Sequence, residues 1–177
     1  WSNWHGQSVL WLARLANRNG HDAQAYADKA ISILAKANVL DSTNENVALS
    51  LAKSRNFQAQ LNLMHGNAGA VPVHTQAVLE ALAPFWKLEQ KEDNRVVLAE
   101  AHWLLGQAAH VEGDSALADR HWQQALALLS VGGLKNPPFG RLEILVRTLN
   151  SLGRKAEAEF YISRLEQSGF VPLQSYP

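Results

Sequence analysis

Residues 99–130 read AEAHWLLGQAAHVEGDSALADRHWQQALALLS, and residues 146–168 echo the second half of that stretch as VRTLNSLGRKAEAEFYISRLEQS. In each, an apolar helical segment runs into a glycine turn (Gly113-Asp114, Gly153-Arg154). An alanine follows five residues after the glycine (Ala118, Ala158), and a second amphipathic helix begins. Self-similarity at a spacing of a few tens of residues is the mark of stacked units, because one unit cannot bury its apolar face alone. The anchoring alanines Ala118 and Ala158 lie 40 residues apart, and Ala77 lies 41 before Ala118.

Working outward, apolar residues recur at three and four positions throughout, and no stretch alternates like a strand for long. The periodicity predicts helices near 3–18, 22–37, 43–64, 74–91, 95–112, 115–130, 139–152 and 155–168. Gly20 is placed to end the first helix and Asp22 to cap the second. Ser42-Thr43-Asn44-Glu45 has the pattern of a capping box, in which the hydroxyl and the carboxylate each satisfy an orphan amide. Residues 66–72 read as the longest loop, and Asp114 as the cap of the sixth helix. Pro137-Pro138 is suited to open a helix. Pro84 inside the fourth helix predicts a kink or split near Ala83. In the first hairpin Ala23 and Ala25 are both candidates for the anchoring alanine, two residues apart in register.

Eight helices with short connections predict an all-α single domain over 1–177. It is a right-handed superhelical stack of four antiparallel hairpins, at roughly 1–40, 41–93, 94–132 and 137–170. Sixteen basic and sixteen acidic residues give zero formal charge, with no Lys/Arg cluster along one face, so no field draws in nucleic acid. The chain has no cysteine, which excludes disulfides and thiolate metal sites and is compatible with cytoplasm and periplasm alike. No apolar run approaches the roughly 20 residues that cross a bilayer. The chain opens on Trp1 and not on Met, which predicts a segment of a larger protein.

Residues 99–130 resemble a tetratricopeptide repeat. Gly106 stands as the small residue of the first helix with Leu105 before it. Gly113, Ala118, Trp122 and Ala125 fall where that repeat has glycine, alanine, a bulky aromatic and alanine. The last hairpin resembles the repeat at Gly153 and Ala158, supported by Leu145 and Leu165. Trp103 departs from the pattern by one place, and no proline follows Ser130. The tail LGRKAEAEFYISRLEQSGF resembles the ends of repeat arrays in bacterial multidomain signalling proteins.

The resemblance implies partner binding on the concave surface made by the first helix of each hairpin. Carried onto this sequence, the groove-facing stripe of helix 95–112 is Glu100, Trp103, Gln107 and His110, spaced three, four and three apart. On helix 139–152 it is Gly140, Glu143, Arg147 and Asn150. Trp103 would be the apolar anchor and Gln107, His110, Arg147 and Asn150 hydrogen-bonding groups; otherwise Trp103 packs between hairpins. Family members that grip a C-terminal carboxylate carry lysine and asparagine in these places, so that clamp is not implied here.

Trp1, Trp4 and Trp11 fall within about 80° of one another on a helix, with Leu15 beside them. They form either a binding face, through which the chain could self-associate, or a seam with an upstream domain. The seven histidines include no i, i+4 pair on one helix. His110 and Asp114 have that spacing, but Gly113 ends the helix between them, so no metal is expected. Neither a phosphate loop nor a nucleophile elbow is present, so neither a cofactor nor enzyme chemistry is implied. The expected function is a protein-interaction module that binds a peptide or helix, as scaffold or regulatory part of a larger protein. The alternative is a domain that senses a ligand or peptide for a bacterial signalling protein.

Overall fold

Four glycines divide the chain into hairpins. Gly20, Gly66, Gly113 and Gly153 all have φ between +72° and +87°, where an L side chain is strained. Each closes a helix in the same way. The amide after the glycine donates to a carbonyl five positions back: His21 to Ala16, Asn67 to Asn62, Asp114 to Ala109 and Arg154 to Leu149, at 2.8–2.9 Å. The glycine amide donates to the residue three before it. This is the Schellman closure, which satisfies carbonyls that a helix end otherwise leaves orphaned.

The computed structural model describes residues 2–86, 91–134, 137, 139–167 and 169, and among them every regular element is helical. The four glycines end α1 (Ser2–Arg18), α3 (Glu45–Met64), α5 (Glu92–Val111) and α7 (Phe139–Ser151). Their partners are α2 (Gln24–Leu40), α4 (Val71–Trp86), α6 (Ser115–Ser130) and α8 (Lys155–Gln167). Consecutive helices pack against each other, and α1 also touches α3, α3 touches α5, and α5 touches α7.

The position that repeats is the fourth residue of the second helix of a hairpin. Ala27, Ala118 and Ala158 hold it in α2, α6 and α8, and all three are fully buried. In the first hairpin this replaces both candidate anchors, since Ala25 is exposed and Ala23 precedes the helix. The turn there has two more residues than at Gly113, which moves the register by two. In the second hairpin Val71, five residues after Gly66 as Ala118 is after Gly113, and not Ala77, takes the equivalent place at the start of α4. A 3-10 turn over Ala68–Ala70 leads straight into α4, Val71 is fully buried, and Ala77 is only half-buried. The stretch read as the longest loop is therefore mostly helical.

The caps correct the sequence in two places. Asn44, not Ser42, caps α3, accepting from the Val47 amide at 3.3 Å. Asp41 organises the turn before it by accepting from Thr43 Oγ1 at 2.8 Å and Asn44 Nδ2 at 3.3 Å. Glu45 is thereby free to reach across to α5, accepting from Lys91 Nζ and Asn94 Nδ2 at 2.6 and 2.8 Å. Asp22 sits one residue before the N-cap of α2 and accepts from the Gln24 amide at 2.9 Å. Asp114 does cap α6, accepting from the Leu117 amide at 2.9 Å. Pro84 does not split α4, which runs through it to Trp86. Pro138 lies outside the described residues, and α7 begins just after it.

The core is divided among the hairpins and joined by α3 and α5. Phe57 and Leu61 of α3 pack with Val9, Leu10 and Ala13 of α1, while Ala48 and Ala52 of α3 meet Val97, Leu98 and Ala101 of α5. Further along α5, Leu104, Ala108 and Ala109 join Leu142, Leu145 and Leu149 of α7. Gly106 is buried against Trp122, and a Cβ built there would collide with the indole. The small residue lets α5 and α6 approach closely enough for the aromatic to be enclosed.

Candidate functional site

Three cavities of about 480, 290 and 80 Å³ lie along the molecule, and every residue that lines them belongs to α1, α3, α5 or α7. Arg14 of α1 lines all three, so they form one depression with Arg14 at its junction. The widest part runs between α5 and α7 over Val96, Val97 and Ile144. The second runs between α1 and α3 over Leu10, Trp11 and Leu49. The smallest lies beside Phe57 and Glu100.

Charge is arranged unevenly along this depression. Arg141 is buried and holds its wall in place: Nε donates to Glu92 at 2.9 Å, and one terminal nitrogen donates to the carbonyls of Leu129, Val131 and Gly133 at 3.1–3.2 Å. These carbonyls belong to the end of α6 and the following turn, where a cation also meets the negative end of the helix dipole. Arg147 pairs with Glu143 at 2.8 Å, one turn away on α7. Lys53 and Asp93 are 3.8 Å apart with exposed side chains, a weak pairing. Among the described residues Arg14 donates no hydrogen bond. Its guanidinium lies 6.0 Å from the ring centre of Trp11 and 5.9 Å from that of Phe57.

Glu100 lies deep beside it. Burial pushes its carboxyl above the ordinary glutamate range, and this outweighs the opposing effects of Arg14, of the Asn56 hydrogen bond and of Arg147. Asn56 of α3 is fully buried; its Nδ2 donates to Glu100 Oε2 and to the Val97 carbonyl, both at 2.9 Å, while its Oδ1 finds no donor. A carboxyl raised by burial thus lines the depression, held by the fully buried amide of Asn56.

Of the stripe expected on α5, Glu100 lines the depression and the rest do not. Trp103 is 8% exposed, so it does not offer an apolar anchor to a partner. Its Nε1 donates to Ser151 Oγ at 3.1 Å, and the Arg147 guanidinium covers its ring at 5.3 Å. Gln107 donates to the same Ser151 Oγ at 2.8 Å. The stripe turns towards α7 and forms the seam between hairpins. His110 is exposed and its ring lies 5.7 Å from that of Trp122. On α7, Gly140, Glu143 and Arg147 line the depression and Asn150 does not.

Periodicity on α5 and α7 could not reveal Arg14, Phe57 and Asn56, which come from the two hairpins where no repeat pattern was legible. Arg14 had one signal, its place one turn after Trp11. Trp1 lies outside the described residues. Trp4 and Trp11 are 75% and 66% exposed, and Leu12 and Leu15 beside them are also exposed. The fold brings His102 and His121 together, Nδ1 to Nδ1 at 3.4 Å, but no group of three or more metal-ligating side chains occurs among the described residues. None of the described helices is long and apolar enough to cross a membrane. Compared with known proteins, the chain matches no family model and no curated protein.

Proposed function

We propose that the face built by α1, α3, α5 and α7 binds an extended peptide or a helix of a partner protein. In this view the four hairpins form a tetratricopeptide-like right-handed stack that serves as scaffold or regulatory part of a larger protein. One observation carries the proposal. The three cavities described above fall on the first helices of the hairpins, and no residue of a second helix lines them. A long depression with apolar stretches and a few fixed polar groups suits a peptide, whose side chains fill pockets while its backbone meets donors and acceptors.

The walls are tied together by hydrogen bonds between helices, which favours binding by lowering the ordering cost. Arg141 ties α7 to α5 and α6, and the Trp103–Ser151–Gln107 group ties α5 to α7. Within this function Glu100 and Glu143 face the partner, whereas Arg147, itself buried, holds the wall with Trp103 and Gln107. The paired and mixed charges of the depression suit a protein partner better than a nucleic acid backbone.

Backbone amide shift mapping of the isotope-labelled chain, with a peptide selected from a random library, tests the proposal. Perturbations should concentrate on α1, α3, α5 and α7. Perturbations confined to α2, α4, α6 and α8 would refute it.

A further inference from the structure

We propose that the peptide held in this depression carries an acidic side chain flanked by apolar ones, with Arg14 as the residue that receives the acid. The inference rests on the peptide-binding function above and names the chemistry of the ligand.

The cations that line the depression differ in how they are engaged. Arg141 is bound on several sides, and Arg147 is paired with Glu143. Arg14 donates no hydrogen bond among the described residues, although a guanidinium carries five N–H donors in a fixed fork. The rings of Trp11 and Phe57 beside it orient that fork without using its donors. Lys53 lies nearby, lining the same two larger cavities, and is held only by the long contact to exposed Asp93.

Among the described residues Arg14 forms no ion pair, and the carboxyl of Glu100, which lines two of the same cavities, accepts from Asn56 instead. Apolar side chains lie to either side of the junction: Val96, Val97 and Ile144 in one direction, Leu10, Trp11 and Leu49 in the other. Four carboxylates line the largest cavity as well, but each is engaged elsewhere: Glu92 by Arg141, Glu143 by Arg147, Asp93 by Lys53 and Glu100 by Asn56. Arg14 thus stands between apolar stretches as a cation in no ion pair among the described residues, and the complementary peptide is apolar, acidic, apolar.

Three fluorescent peptides, acetylated and amidated so that they carry no terminal charge, test this: a leucine-flanked segment with a central Glu, Gln or Lys. Titrated by anisotropy at neutral pH, the Glu peptide should bind at least about tenfold more tightly than the Gln peptide, the worth of one charge-assisted hydrogen bond. Lys should bind weakest. Arg14→Gln should erase the preference for Glu over Gln, and Arg14→Lys should restore part of it, with unchanged circular dichroism in both. Equal binding of the Glu and Gln peptides, or a preference that survives Arg14→Gln, would overturn the inference while leaving peptide binding intact. A library that yields no binder at all would overturn the peptide-binding function itself, and this inference with it. A Gln peptide with a free C-terminal carboxylate should bind no better than its amidated form; if it matches the Glu peptide, the side-chain assignment is wrong.

Discussion

The indole of Trp122 stands where a side chain on Gly106 would have to go. This pair sets the distance between α5 and α6, and each member is buried only because the other has its size. Gly106→Ala should therefore destabilise the fold by about 1–3 kcal/mol through overpacking. In a chain of this length that lowers the melting temperature by roughly 2–4 °C per kcal/mol. Gly140, at the start of α7, has open space around it: a Cβ added there would meet nothing within 4 Å. Gly140→Ala should be neutral or stabilising by up to about 1 kcal/mol, from helix propensity alone. Thermal melts of the two variants should move in opposite directions or differ by several degrees.

Trp103 and Trp122 should behave alike. Both are nearly enclosed, at 8% and 6% exposure. Alanine at either position should cost about 3–5 kcal/mol, the range for a large core truncation. Trp103→Phe keeps most of the apolar contact but loses the hydrogen bond to Ser151, and should cost about 1 kcal/mol beyond the lost contact. Urea unfolding measures all three. A Trp103→Ala variant as stable as the parent would place the indole on the surface instead.

Glu100 should give stability a pH dependence. Its folded-state carboxyl is raised above the ordinary 4.5 by burial, so the folded chain holds this proton more tightly than the unfolded chain. Its contribution is then fully present below the ordinary glutamate range and is lost as pH rises through the raised value. The groups facing it are Arg14 of α1, Asn56 of α3, and Glu143 and Arg147 of α7. Glu100→Gln keeps an acceptor for Asn56 but removes the titration. Its stability measured from pH 4 to pH 9 should fall less with rising pH than that of the parent. Parallel curves would mean that Glu100 is solvated in the fold.

The caps offer a test in which sequence pattern and structure part. Asp114→Ala should cost about 1 kcal/mol, since the Asp114 carboxylate accepts from the Leu117 amide. Ser42→Ala should cost nothing measurable, because Asn44 holds the cap position of α3 and Ser42 is exposed. Chemical denaturation of the two variants is enough to decide.

The hairpins were legible wherever local physics is written in neighbouring residues. A glycine forced to positive φ, an aspartate cap and an alanine at a fixed offset all act within one turn of chain, and they placed α5, α6 and α8 to within a few residues. The first hairpin was blurred by two extra residues after Gly20, which shift the anchor to Ala27; in the second the offset from Gly66 is unchanged, but the anchor is Val71, not an alanine. Sequence spacing set the stripe on α5 but not which neighbour it meets. Glu100 and Trp103 are less than one turn apart, yet one faces the depression and the other the seam with α7. The charges that act on Glu100 belong to residues as far away in sequence as Arg14 and Arg147, and no local pattern encodes them.

The chain contains no cysteine, so a single introduced one carries a label at a unique place. Asn46 on the rim of the depression and Gln123 on the opposite side of a hairpin, on α6, are both exposed. An environment-sensitive dye on Asn46→Cys and, separately, on Gln123→Cys reads which face a bound peptide covers. A saturable change at position 46 that shares its midpoint with peptide binding, and no change at position 123, is the predicted result. A change at 123 with none at 46 would contradict the assignment of the partner-binding face to the first helices of the hairpins.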